Sequence, residues 1–445
     1  MTPTATFFWK SSGGSTNRKR GLCPESTLKG GLIKRVCATV ISLIAVLWFP
    51  VLTFGDDSHY SNILVGDRAG ALAGAYTAVS DDPSGMYYNP AGIAYASENN
   101  LSLSVNGYTS TSKEYKGVIG GRDWLRKSSG IVPNFFGMLR SWGKIKMGLS
   151  YAVPDQITEN QYDTLFDLPS GTPGLTVTKF LVNHKTEDKT YHFGPSVAVE
   201  LTPNLSVGLT LYAHYRYTDY VSNQMAWFSN GQTDWFNQYM NFEEWGVRPI
   251  LGLMWHQPSQ FSLGLAVSRV FALRSENRLQ MTEKDVNDVL TILDPPNSSD
   301  TRSYPYQIRL GAAFFPSPDW LITADVMYYT QADFELFGTK RSFDAVLNGA
   351  LGTEYRFNKE FALRAGLFTN RSSTPEIKGV AGENGEKVDV YGGSLALCFY
   401  TGKTSVSVGG SYSMGDGKAN LTAEPAIIDM SYRSWTLFIS STYFF

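Results

Sequence analysis

Residues able to do chemistry are few in this chain, and they are scattered. His59, His184, His192, His214 and His256 show no metal-ligand spacing such as His-Glu-x-x-His. No Gly-x-Ser-x-Gly elbow or phosphate-cradling P-loop occurs. Of the cysteines Cys23, Cys37 and Cys398, the first two fall in a leader. The mature chain then keeps one thiol, so neither an intramolecular disulfide nor a thiolate metal cluster can form. Cys398 lies in an alternating segment and reads as inert. A phospholipase would need a Ser/His pair facing lipid, whereas His192 and His214 fall on the other face of their segments. No catalytic residue, metal or cofactor is expected.

Charge and aromatic rings offer more. Arg216, Arg248, Arg309, Asp325, Glu354 and Arg364 sit at positions that alternate toward the polar face of their segments. Unpaired charge is costly in a packed interior. Asp325, Glu354 and Arg364 are therefore expected to form a network that reaches Arg68 or Asp82, as a staple or as a movable latch. Arg216 and Arg248 are placed to meet a ligand carboxylate. The stretch 218–245 carries Met225, Trp227, Phe228, Trp235, Phe236, Tyr239, Phe242 and Trp245. Such rings form an apolar capture site, or pack on one another, or join an interfacial belt. Between Thr282 and Leu293, Val286, Val289, Leu290 and Leu293 recur at helical spacing. With Thr282 and Asp285 as a cap, they predict a short amphipathic helix.

The elements that must position these groups follow from composition and period. The chain has 445 residues, 38 basic and 40 acidic, with a net charge of −2, which favours no nucleic-acid partner. Charged residues are 18%, below the roughly 25% of soluble domains, while aromatics reach 14%. Apolar content this high excludes disorder. Only one long apolar run exists, Ala38 to Phe54, which excludes a bundle of membrane helices. That run follows a basic stretch with Arg18, Lys19, Arg20, Lys34 and Arg35 and precedes Gly55-Asp56-Asp57. It reads as a secretory signal peptide over residues 1–55, cleaved after Gly55. The alternative is a retained anchor, which Pro50 and the short run disfavour.

From residue 99 the chain breaks into segments with period-2 alternation. Fourteen are predicted: 99–108, 134–141, 144–153, 191–201, 204–217, 246–256, 260–269, 306–315, 319–329, 347–357, 360–370, 388–400, 403–415 and 432–445. Short connections with Gly, Pro or Asn alternate without exception with long ones: 109–133, 154–190, 218–245, 270–305, 330–346, 371–387 and 416–431. Strands of roughly 9–11 residues joined by alternately short and long connections are the pattern of an outer-membrane β-barrel. Only a closed barrel leaves no unpaired backbone edge in hydrocarbon. The predicted fold is a 14-stranded antiparallel transmembrane β-barrel over residues 99–445. Trp435, Leu437, Ile439, Tyr443 and Phe445 share one face of its last strand. A terminal Phe there resembles the signal read by the barrel assembly machinery. Tyr151, Trp255, Trp320, Tyr328 and Tyr355 suit interfacial girdles.

A barrel this wide needs a plug or becomes a channel. Residues 56–98 are predicted to be an N-terminal hatch inside the lumen. Gly70 and Gly74 lie in a run of small residues, Asp82 in one turn, and Asn89, Pro90, Ala91 and Gly92 in a second. The stretch from Gly66 to Ala94 resembles the hatch of the FadL/TodX family of outer-membrane hydrophobic-compound transporters. The segments 131–154, 304–329 and 361–375 resemble, in order, three of that family's strand regions. The resemblance implies a monomer in the bacterial outer membrane, in contact with its lipid and lipopolysaccharide. It implies passive transport of a hydrophobic small molecule, such as a fatty acid or a hydrocarbon, captured by outer loops and released past the hatch through a lateral opening. Segment 144–153, ending at Pro154, is the expected kinked wall strand. The alternatives are a secretion-associated scaffold or adhesin barrel and a general porin. The hatch counts against the porin.

Overall fold

The computed structural model describes residues 58–445, apart from 97–98, 171, 258–259, 380–384 and 422–426. The predicted leader, residues 1–55, lies outside them. Fourteen antiparallel strands close into one barrel. They are β1 Asn100–Ile119, β2 Arg122–Trp142, β3 Ile145–Pro169, β4 Thr176–Thr202, β5 Leu205–Phe228, β6 Thr233–Gln257, β7 Phe261–Ser268, β8 Gln307–Ser317, β9 Trp320–Tyr329, β10 Val346–Arg356, β11 Phe361–Asn370, β12 Val390–Tyr400, β13 Thr404–Asn420 and β14 Ile428–Phe444. The seam closes where β1 pairs with β14, from Asn100↔Phe444 to Tyr115↔Met430. Every predicted segment overlaps one of these strands.

Aromatic rings mark the two edges of the membrane band. Tyr151, Tyr191, Tyr215 and Trp245 form a row across β3 to β6, with ring centroids 6.2, 6.1 and 5.5 Å apart. At the other rim, Trp255 meets Phe261 at 4.8 Å, Tyr355 meets Phe357 at 5.4 Å and Phe361 meets Phe399 at 5.2 Å. Between these belts β5 turns Leu209 and Leu211 outward, both exposed, while Ser206, Thr210, Tyr212 and His214 are buried inside. The span from Leu205 to Tyr215 fits a tilted transmembrane strand.

Three of the predicted long connections are not loops. Residues 109–133, 154–190 and 218–245 continue β1 to β6 far beyond the outer belt and end in tight turns. Beyond the belt the outward face meets water, so the apolar alternation that marks a strand in lipid disappears while the backbone ladder continues. The predicted helix between Thr282 and Leu293 is also corrected. After Ser268 the chain continues along β6 as the strand Phe271–Lys284, then turns and returns as the strand Leu290–Leu293. Val289, Leu290, Ile292 and Leu293 are all exposed, so no apolar helical face is buried there.

Residues 58–96 fill the lumen. Two short helices, α1 Asp67–Ala71 and α2 Gly85–Tyr88, are followed by a 3-10 turn, Pro90–Tyr95. Leu72, Tyr76, Val79, Met86 and Ile93 pack against Phe135, Leu139, Tyr212, Ile250 and Leu321 of the wall in one buried core. The wall makes room by omitting side chains. A Cβ at Gly208 would overlap the Pro90 backbone, and one at Gly252 would overlap the Asn89 side chain.

Candidate functional site: two chambers beside a break in the wall

The hatch residues singled out in the sequence hold this plug in shape. Gly74 adopts φ 81°, which a side chain would strain. Gly70 backs onto the Leu64 carbonyl. Asp82 accepts from Ser84 N at 2.8 Å. Asn89 accepts from Ala91 N at 3.1 Å and donates to Thr77 O at 2.8 Å and Leu253 O at 3.2 Å. Pro90 opens the 3-10 turn, the Ala91 carbonyl accepts from Ser206 Oγ at 2.8 Å, and Gly92 packs on Ser80.

The charged residues split into three groups. Glu354 accepts from Arg364 Nε at 2.7 Å and from Arg68 Nε at 2.8 Å. Arg68 also reaches Asp81 at 2.7 Å, and Arg364 reaches Asp67 at 3.2 Å. This network ties α1 to β10 and β11, but it includes Asp81 rather than Asp82, and Asp325 stands apart from it. Asp325 instead accepts from Tyr76 N, Thr77 N and Thr77 Oγ1 at 3.1, 3.0 and 2.6 Å. It anchors the middle of the hatch, while Arg309 lies over the Tyr88 ring at 5.1 Å. Arg216 and Arg248 form the third group, at a cavity.

The strap formed by residues 58–64 crosses the lumen at the height of the outer aromatic belt. Ser373 N donates to Ser58 O at 2.8 Å, Tyr60 stacks on Tyr329 at 4.4 Å, and Ile63 N donates to Pro154 O at 3.1 Å. The strap leaves a chamber on each side. One, of about 140 Å³, is bounded by the strap, Tyr87 and the walls of β4 to β9. The other, of about 90 Å³, is lined by Thr109, Thr111, Ser128, Ser411, Ser434 and Thr436 among others. Asn62 and Asp155 line both, and Asn62 Nδ2 donates to Asp155 Oδ1 at 3.1 Å.

The larger chamber carries Arg216, Arg248, Arg269 and Arg302 against one acid, Asp155. Arg216 is held by Asp188 through bonds of 3.0 and 2.7 Å. Arg248 donates to Gln307 Oε1 at 2.9 Å, lies 3.4 Å from His192 Nδ1 and covers the Tyr87 ring at 4.7 Å. No ion pair joins Arg248 to a carboxylate among the described residues. A polar chain runs on from it: His192 to His214 at 3.1 Å, His214 to Glu244 at 3.4 Å, and Tyr304 OH to Glu244 at 2.6 Å. Sequence reasoning missed Asp188, Glu244, Tyr304 and Asn62. The period-2 pattern extended past Tyr191 places Asp188 on the Arg216 face, and extended before Gly246 it places Glu244 on the Arg248 face; Tyr304 and Asn62 lie outside the strands.

The six aromatic residues proposed for capture do not meet in one site. Trp227, Trp235 and Trp245 face outward, with Trp227 under Lys179 at 4.8 Å and Trp245 in the outer belt. Phe228, Phe236 and Phe242 are buried on the inner side. Phe242 packs with Phe337 at 6.1 Å in a cluster with Leu336 and Phe334, and Phe334 lines the larger chamber. That cluster packs apolar side chains next to the chamber.

The wall is broken beside the smaller chamber. β2 and β3 pair from Trp142↔Ile145 to Phe135↔Ala152 and again only at Ser128↔Glu159, so 129–134 and 153–158 face each other without ladder bonds. The register of β3 against β4 slips at the same place, between Ala152 and Asp155. Pro154 has no N–H to give a ladder there. Farther out a buried network replaces the ladder. Arg126 contacts Glu159 and lies 2.8 Å from His184 Nε2, and Tyr115 and Lys113 donate to Glu386 at 2.6 and 2.7 Å. Burial works to raise the Glu159 carboxyl, yet Arg126 and His184 hold it far below the usual range. Burial and Arg126 push the His184 ring below the usual imidazole range, against Glu159, which raises it.

Comparison with known proteins bears on this arrangement. Residues 63–381 match the family described as outer membrane protein transport protein, OMPP1/FadL/TodX. The fold is that of a Pseudomonas aeruginosa FadL homologue, at 13% identity and TM-score 0.62, covering 87% of this chain and 99% of that one. It is also that of the P. putida toluene transporter TodX, at 13% identity and TM-score 0.59, over 86% and 99%. The Ralstonia pickettii toluene transporter TbuX follows at 13% and 0.56, over 86% and 99%. No curated protein matches the sequence.

Proposed function

Because the chain belongs to the OMPP1/FadL/TodX family of outer-membrane transport proteins, we propose that it carries small hydrophobic molecules passively across the outer membrane and releases them sideways through its wall. The break between β2 and β3 carries this reading, because it lies beside the smaller chamber at the outer edge of the membrane band, close to the Tyr151 belt. An apolar molecule enters along Phe242, Phe337 and Phe334 and rests in the larger chamber. It passes the Asn62–Asp155 bond and the strap, and leaves between 129–134 and 153–158. Lipopolysaccharide slows apolar solutes, and an aqueous pore gives them no favourable environment. A lateral exit delivers them to hydrocarbon without crossing water. The plug, held by the Glu354 network and Asp325, need not leave the lumen. Two relatives of this fold are toluene transporters, which favours a compact substrate over a sugar or ion.

Uptake by intact cells with and without the protein tests the reading. Labelled toluene, a long-chain fatty acid and a small sugar are offered side by side. Protein-dependent entry of an apolar compound but not the sugar is expected. Sugar entry would make the protein a porin, and no entry of any would favour a scaffold.

A further inference from the structure

Resting on that reading, we infer that the larger chamber is built for a substrate with a single aromatic ring and one anionic group, of the aryl-carboxylate class. Size comes first. A cavity of about 150 Å³ accepts benzene, and this chamber is about 140 Å³. The lining comes second. Tyr60, Tyr87, Tyr304, Tyr329, Phe334 and Phe343 offer ring faces and edges for stacking.

Charge comes third. Arg248 is 6% exposed, and no carboxylate pairs with it among the described residues. A buried guanidinium without a counter-charge is costly. Its bonds to Gln307, Ser268 and His192 employ three of its five N–H donors. The remaining donors and the Tyr87 face beneath them fit a carboxylate with a ring attached. The neighbouring Arg216 is already bound to Asp188, and of the chamber's other arginines Arg248 is the one that lies over the Tyr87 ring.

Equilibrium dialysis of the purified full-length protein in detergent tests this, with labelled benzoate, toluene and oleate as probes. Benzoate should bind best, and Arg248→Met should weaken it at least tenfold while weakening toluene much less. Heat-modified gel mobility checks that the variant barrel is folded. Equal benzoate binding by both proteins would overturn the anionic assignment, and oleate binding tighter than benzoate would overturn the single ring. If the variant does not fold, competition in cells decides: benzoate should block toluene entry through the wild-type protein, and no block overturns the inference. Binding of none of the three, with no uptake, would instead defeat the transport reading itself.

Discussion

Arg248 and Glu354 are two charges buried in one lumen, and their surroundings give them different roles. Glu354 has Arg68 and Arg364 on either side. Removing its charge leaves Arg68 with Asp81 alone and Arg364 with Asp67 alone, a loss below the roughly 3–5 kcal/mol of a buried charge left unpaired. Glu354→Gln should loosen α1 without opening the barrel. Limited trypsin digestion would show faster cutting at Arg68; an unchanged rate would mean the network is not what docks the hatch. A second prediction concerns the tip of the β5–β6 hairpin. Burial, together with Glu283 and Asp285 close by, pushes the Asp234 carboxyl up to about 8. The folded tip therefore holds a proton that the unfolded chain releases near pH 4. The stability this gives is complete at acid pH and is lost as pH rises through about 8. Asp234→Asn should remove that dependence and raise amide-exchange protection of the tip at pH 8.5. Equal protection in both proteins would contradict it.

At the scale of elements, the membrane-spanning halves of the strands were legible because lipid on one side and a polar lumen on the other force alternation. Leu205 to Tyr215 is such a stretch. The outer continuations were not legible, since water faces one side and the tip interior is small; Asp219, Asn223 and Asn237 interrupt any apolar period. The helix expected from Thr282 failed for the same reason, as Val289 to Leu293 face solvent on both sides of a strand pair. Alternation also placed Arg216, Arg248 and Glu354 inside, and the Glu354–Arg364 pair across β10 and β11 was expected; it did not give Asp188, which lies beyond the predicted end of its strand, or Gln307, two strands from Arg248. The hatch turn at Asn89–Gly92 tests how tightly plug and wall fit. Gly208→Val should drive a side chain into Pro90 and displace that turn. Single-channel recordings should then show frequent open events where the wild type shows few. A variant as quiet as the wild type would mean the contact is not tight.

Among the described residues the molecule is a closed wall with a break between β2 and β3, a plug anchored at several places, and a chamber on each side of the strap. Cutting out residues 58–96 should convert it into a wide channel with raised ion conductance, since nothing else among the described residues fills the lumen at that level. Unchanged conductance would remove the plug from the account. The central claim is sideways release, and a reversible staple across the break tests it most directly. The Gln156 side-chain nitrogen lies 3.5 Å from where a Cβ at Gly130 would stand, so the two positions face each other across the break, and Cys398 is buried away from them. Gly130→Cys with Gln156→Cys should stop uptake of the apolar substrate when oxidised and restore it on reduction. Uptake that continues at full rate with the staple closed would contradict release through the wall and send the path through the hatch.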